Sequence, residues 1–335
     1  MHYKVLGKTG LTVSEVGVGG IPIQRADAPS AKALMAAAAD MGVNFLDSAR
    51  AYSVSETYLG DALIGIRDKF IIATKSGAKT KADMARDVDT SLRNFHTDHI
   101  ELYQLHNPKP ADVDAIIGPG GALDALKEAK AAGKIGHIGV TLHSKELFTQ
   151  FLNYDWVETI MFPYNIVETQ AEELIAACAE KNIGFICMKP LAGGALDDGN
   201  IAMRFLAQND NISIIIPGMA SVSELEQNTA AYANKAPLTR EEQQKIDAIR
   251  AELGSSFCRR CNYCSPCTAG INIYSVLLFE GYYTRYNLHE WASDRYNALG
   301  KYASDCIGCG VCETRCPYGL PIREMMQRAA KLFGK

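Results

Sequence analysis

Asn44-Phe-Leu-Asp-Ser-Ala-Arg-Ala-Tyr52 begins as an apolar run, breaks off at the Asp47 carboxylate and reaches a phenol five residues later. Short apolar runs between turn signals read as strands. Working outward, comparable runs occur at 15–19, 70–75, 100–106, 135–141, 158–164, 184–189 and 212–217, which makes 44–47 the second of eight. Between them lie helix-like stretches such as 30–41, 55–66, 81–95, 121–132, 169–181 and 221–232, many opened by Ser or Thr. Strand and helix alternating eight times spell an α/β protein, a parallel (β/α)8 TIM barrel over residues 1–253. The leading stretch 3–13 carries Lys8-Thr9-Gly10 between apolar runs and reads as a hairpin plugging the barrel's N-terminal end. No internal repeat or low-complexity segment interrupts the pattern.

Chemistry in such a barrel sits at the C-terminal ends of the strands. The unexpected polar residues fall there: Asp47 with Tyr52 beyond it, Lys75 ending strand three, and His106 ending strand four. Taken singly, each has a plain explanation. Asp47 and Lys75 could be a structural ion pair, His106 a satisfied core histidine, and Tyr52 a surface aromatic.

Together the stretch 46–52, Ser55-Glu56, Thr74-Lys75 and Leu102-Tyr-Gln-Leu-His106 resemble the aldo-keto reductase family, and the resemblance spans essentially the first 250 residues. It implies that Tyr52 is the general acid protonating a carbonyl oxygen as hydride arrives from a nicotinamide. It further implies that Lys75, paired with Asp47, lowers the tyrosine's pKa and that His106 orients the carbonyl. The chemistry is coherent, because hydride transfer builds an alkoxide that needs a proton donor and a positive field.

Nucleotide binding is where the chain departs from that family. Barrels commonly hold phosphate in the loops after strands seven and eight, here Pro190-Leu-Ala-Gly-Gly194 with Leu191 and Gly193, and Pro217-Gly-Met-Ala-Ser221. Gly218 and Glu224 stand where many relatives grip a 2'-phosphate with lysine and arginine. A carboxylate there repels that phosphate and accepts from a free 2'-hydroxyl, favouring NADH over NADPH. Ser221-Val-Ser-Glu224 is equally a helix capping box. Asn228 matches the family's adenine-contacting asparagine. Thr141-Leu142 replaces the usual Ser-Asn, Met161 a glutamine, and Met188 the aromatic that stacks on nicotinamide. Gly118-Pro-Gly-Gly121 does not follow a strand as a dinucleotide fingerprint must.

Eight of the ten cysteines lie in two clusters: Cys258, Cys261, Cys264 and Cys267, then Cys306, Cys309, Cys312 and Cys316 followed by Pro317. The second run is C-x2-C-x2-C-x3-C-P, the spacing with which bacterial ferredoxins hold 4Fe-4S cubanes. That resemblance implies two clusters in a mainly helical, ferredoxin-like domain over 254–335. Because the fourth cysteine of each ferredoxin run ligates the other cluster, it implies Cys258, Cys261, Cys264 and Cys316 on one cube and Cys306, Cys309, Cys312 and Cys267 on the other. The first run departs from the pattern, with Thr268 in place of proline after Cys267. Zinc ordinarily draws two C-x2-C knuckles with a longer spacer, and a disulfide framework suits a small secreted chain. Cys178 and Cys187 read as small buried hydrophobes.

The net charge of −4 divides unevenly, −8 over the first 253 residues and +4 beyond, part of the excess offsetting the negative cluster cores. There is no long basic run to suggest nucleic acid and no apolar stretch long enough for a bilayer, nor an apolar start like a signal peptide. A cytoplasmic location is the expectation. Residues 268–305 are unusually aromatic and read as packing against clusters and barrel, with substrate lining as the other reading. Arg259 and Arg260 read as solvated or as compensating cluster charge.

The expectation is an oxidoreductase acting on a small carbonyl compound with NADH or NADPH and two 4Fe-4S clusters. A hydride moves two electrons and a cubane takes one, so an external ferredoxin or flavoprotein partner is a candidate. Two alternatives stay open: a ferredoxin-driven reductase without nicotinamide, and an electron carrier or redox sensor on a barrel scaffold.

Overall fold

The computed structural model describes residues 1–254, 256–260 and 262–335, so the expected ligand Cys261 lies outside the described residues. Two compact units emerge: Met1–Leu191 with Asp198–Leu238, and Ala192–Asp197 with Thr239–Lys335.

The first unit is an eight-stranded parallel sheet in chain order. Its strands are Val18–Gly19, Phe45–Asp47, Ile71–Ser76, Ile100–His106, Ile135–Thr141, Thr159–Pro163, Gly184–Met188 and Ile214–Ile216. Bridges between Val16 and Ile215, and between Gly19 and Gly218, join the first strand to the last and close the barrel. Runs such as Thr159-Ile-Met-Phe-Pro163 and Ile214-Ile-Ile216 are buried throughout, as strands covered by side chains within and helices without must be.

Alternation splits the core into two layers. Inward residues such as Phe45, Ala73, Leu102, Met161, Ile186 and Ile214 fill the barrel, while outward ones such as Leu46, Ile72 and Ile160 pack under the helices. Tyr3–Val5 pairs antiparallel with Thr12–Ser14, and the hairpin sends fully buried Leu6 and Val13 into the inner layer. Gly7 is at φ +54°, and a Cβ there would meet the Gly184 nitrogen at 2.2 Å. The hairpin therefore plugs the end where strand seven begins, and only glycine permits so close a fit.

Side-chain caps start many of the surrounding helices. Asp27, Thr80, Ser144 and Asp198 each accept from a backbone N–H in the first turn of Ala28–Asp40, Lys81–Asn94, Lys145–Phe151 and Gly199–Leu206. A capping box at Ser221 with Glu224 opens Val222–Ala233, and another at Thr239 with Glu242 opens Arg240–Leu253 of the second unit.

The second unit is helical: Arg240–Leu253, Ile273–Thr284, His289–Asn297, a short turn Val311–Thr314 and Ile322–Phe333. Its core is small, with Val276, Leu277, Tyr296, Met325 and Met326 at the centre and the cluster-run cysteines against it. Tyr296 stacks on Phe333 at 4.0 Å and donates to the Lys335 carbonyl at 2.7 Å. Glu280, 5% exposed, accepts from Arg328 Nε at 2.5 Å. Tyr282 meets Tyr286 and Trp291 edge-on, so these rings of the aromatic segment pack on one another. Among the described residues, no helix is long and apolar enough to cross a membrane.

Candidate functional site

Strand register assembles the barrel mouth. Asp47 lies beside Ala73 and thence Leu102, Lys75 beside Gln104, and His106 beside Thr141, so the inward polar residues of strands two to four fall on successive rows two residues apart toward the strands' C-terminal ends. Lys75 Nζ donates to Asp47 Oδ2 at 2.5 Å and to the Ser48 carbonyl at 2.7 Å. Gln104 Nε2 donates to the other Asp47 oxygen at 3.3 Å. The Lys75 ammonium is 4.9 Å from the Tyr52 ring centre, and the Tyr52 and His106 rings meet edge-on at 5.9 Å. Four residues spread over sixty positions thus form one constellation, with Tyr52 and His106 half-buried and the ion pair beneath them.

Burial governs the electrostatics. Asp47 and Lys75 are 3% and 1% exposed. Loss of solvent pushes Asp47 above the ordinary carboxylate range and Lys75 below the ordinary lysine range, each opposed by the other's charge. The result is an ammonium less basic than usual facing a phenol ring. Burial, reinforced by the charges of Lys75 and Lys189, pushes His106 down to about 3. Its imidazole is therefore neutral near pH 7 and acts as a hydrogen-bonding group, not a cation.

Three elements of this site were given no role from the sequence, although Glu56 and Gln104 lie in the stretches that carry the resemblance. Gln104 orients Asp47, and its inward position in the strand Leu102-Tyr-Gln-Leu-His106 was a usable signal, since a buried amide seeks a partner. Glu56, 1% exposed, accepts from Thr74 at 2.7 Å, Ser91 at 2.8 Å and Asn94 at 3.0 Å, and pairs with Arg50. Its charge also favours the protonated form of Lys75. Lys189, at φ +56°, donates from Nζ to His143 Nε2 at 2.7 Å, while Asn165 Nδ2 holds its carbonyl at 2.9 Å. Nothing local in the sequence signalled that pairing.

The expected nucleotide contacts are dispersed. Thr141 and Met188 end strands five and seven, the latter within the inner apolar layer. Leu191 closes a segment of the first unit, whereas Gly193 belongs to the second, where its carbonyl accepts from Arg285 Nε at 3.1 Å. A Cβ on Gly218 would meet Pro22 at 2.9 Å. Glu224 Oε2 accepts from the N–H groups of Ala220 and Ser221 at 2.7 and 3.1 Å, so the capping role is realised, and Arg25 lies 3.5 Å from its other oxygen. Asn228 is buried on the same helix.

In the second unit the cysteines line two separate cavities. Cys267, Cys306, Cys309 and Cys312 face one, with Ile271, Ile273 and Arg323. Cys258, Cys264 and Cys316 face the other, with Arg259, Arg260 and Tyr318. In the first, Cys267 sits with the first three cysteines of the later run, and in the second Cys316 sits with Cys258 and Cys264 of the earlier one. Cysteines gathered around a cavity are the ligand type that iron-sulfur cubanes take at their corners. Cys309 is exposed, and a backbone hydrogen bond at Val311 and the Thr268 hydroxyl hold its thiol below the usual range. Burial pushes the Cys312 thiol up. Among the described residues, no three His, Cys, Asp or Glu side chains converge on a single ion.

Comparison with known proteins agrees with both halves. The profile of the "Aldo/keto reductase family" matches residues 15–201, and that of the "4Fe-4S dicluster domain" matches 257–321. The chain is 26% identical to L-galactose dehydrogenase of Arabidopsis thaliana, over 74% of its own length and 94% of the plant protein. It is 25% identical to pyridoxine 4-dehydrogenase of Escherichia coli (strain K12), over 74% and 95% respectively. Among solved structures, aldo-keto reductase AKR11C1 from Bacillus halodurans superposes with a TM-score of 0.65 at 26% identity, covering 74% of this chain and 96% of that one.

Proposed function

This chain belongs to the aldo/keto reductase family, and from that premise we propose that its barrel reduces a small aldehyde or ketone, or oxidises the corresponding alcohol, at Tyr52, Lys75, Asp47 and His106. The observation that carries the reading is the meeting of these four side chains at the barrel mouth, with Lys75 against both Asp47 and the Tyr52 ring and Tyr52 against His106. A bound nicotinamide supplies the hydride. Tyr52 gives its phenolic proton to the carbonyl oxygen as negative charge develops there, so carbonyl, hydride and proton sum to the alcohol. Lys75 stabilises the tyrosinate left behind, and Asp47 with Gln104 keeps the ammonium in place. His106, neutral, donates a hydrogen bond that orients the carbonyl.

Glu224 favours NADH, because a carboxylate near the adenosine ribose repels a 2'-phosphate. Met188 and Leu142 leave nicotinamide without the family's usual stacking and amide partners, which keeps a ferredoxin-driven reductase as the second reading. The 4Fe-4S clusters are assigned to Cys258, Cys261, Cys264 and Cys316, and to Cys267, Cys306, Cys309 and Cys312. The cavities lined by these cysteines support that grouping.

Anaerobic addition of NADH or NADPH to cluster-replete protein, with a panel of small aldehydes and ketones, tests the reading. Nucleotide oxidation that requires both the carbonyl and Tyr52 is the expected result. Carbonyl reduction by reduced ferredoxin but by neither nucleotide would move the second reading ahead.

A further inference from the structure

The two cysteine runs share left-handed backbone at two matching positions but carry different side chains there. Gly308 and Gly310, between Cys306 and Cys312, have φ of +69° and +76°. The equivalent positions of the first run, Arg260 and Asn262, have φ of +60° and +69°. Left-handed backbone is free for glycine and tolerable for asparagine, whereas an arginine held there is strained and persists only where something else over-determines it. A position that glycine fills comfortably in one run is thus filled at a cost by arginine in the other.

That arginine is also buried. Arg260 is 6% exposed and Arg259 9%, and both line the cavity of Cys258, Cys264 and Cys316. The Arg259 guanidinium carbon lies 4.1 Å from the ring centre of Tyr318, a wall of the same cavity, and its Nη1 donates to the Gly254 carbonyl at 3.0 Å. Of the two readings of these arginines, solvated or compensating cluster charge, the solvated one is corrected: the chain packs around them. The other cavity has Arg323, which is 52% exposed in its side chain and paired with Glu313 at 2.8 Å. Its charge is largely spent on that carboxylate and on water.

We propose that Arg259 and Arg260 raise the reduction potential of the cluster in the Cys258, Cys264 and Cys316 cavity, making the two clusters inequivalent electron acceptors. The inference rests on the ligand grouping assigned above. Reduction takes one electron from an external one-electron donor into a core that already carries about two negative charges with its thiolates, and no proton is needed. A buried guanidinium favours the more negative state, and low local polarity makes that preference stronger than at a surface.

The test is a redox titration of the full-length, cluster-replete protein with dithionite, followed by electron paramagnetic resonance. Arg260→Gly, which relieves the backbone while removing the charge, and Arg259→Gln should each move one midpoint to lower potential and leave the other in place. Arg260→Lys should restore most of the shift. Immobile midpoints, equal movement of both, or a lysine variant no different from the glycine variant would overturn the proposal. Loss of iron in both Arg260→Gly and Arg259→Gln would also overturn it, by making the arginines part of the scaffold. Cys316→Ser separates this from the ligand grouping: if it alters the signal whose midpoint the arginines do not move, the grouping fails while the tuning stands.

Discussion

The barrel holds its charged residues within a fold built by others, whereas the second unit builds its fold out of its reactive residues. Asp47 and Lys75 sit above an inner layer that Phe45, Leu102, Met161 and Ile186 fill without them. In the cysteine unit Cys312 is itself a core residue, and Cys258, Cys264, Cys267, Cys306 and Cys316 pack on a core far smaller than the barrel's. A large apolar core tolerates a costly buried ion pair, but a small one depends on what its cysteines bind.

Iron removal should separate the halves most sharply. Anaerobic chelation is expected to abolish the melting transition of the second unit while the barrel's persists, read by scanning calorimetry. A single transition that survives unchanged would erase the contrast. Next in size, Tyr52→Phe should lower turnover by about 10²–10⁴-fold, the usual value of a positioned proton donor, with visible cluster absorption unchanged.

Lys75→Met leaves Asp47 charged and buried without its partner, which should cost roughly 3–5 kcal/mol in denaturant unfolding of the barrel. The same variant should leave iron content untouched. His106 gives a pH signature. Its folded pKa is held down to about 3 against an ordinary 6.5, so the unfolded chain binds the proton more readily. Its contribution is therefore complete above about pH 6.5 and is lost as pH falls toward 3, and His106→Asn should flatten that part of the stability curve. Smallest of all, Glu224→Gln weakens a helix cap by about 1 kcal/mol or less and should shift the NADH to NADPH preference toward NADPH, read as a ratio of kcat/KM.

Much of the barrel was legible because its signals are local. Strands 100–106 and 135–141 coincide with Ile100–His106 and Ile135–Thr141, and the other six differ at their ends, where pairing stops. The first, read as 15–19, is regular only over Val18–Gly19. The hairpin was legible from Lys8-Thr-Gly10 between apolar runs, and its plugging role is seen in Leu6. The positions of Asp47, Tyr52, Lys75 and His106 were visible as polar interruptions of apolar runs. The contacts of Gln104, of Glu56 and of the Lys189–His143 pair were not, because their partners lie across strand register or in distant helices.

By itself the sequence determined the periodicities that make strands and helices, the strand-end carboxylate, ammonium, phenol and imidazole, and the cysteine spacing suited to cubanes. Those depend on neighbours a few residues apart, which the chain writes directly. Tertiary structure decided that Lys75 reaches both Asp47 and Tyr52, that His106 is held neutral, that cysteines of two runs share cavities, and that Arg259 and Arg260 are buried beside one of them. Each depends on desolvation and on contacts between residues far apart in the chain, quantities that exist only once the backbone has closed around them.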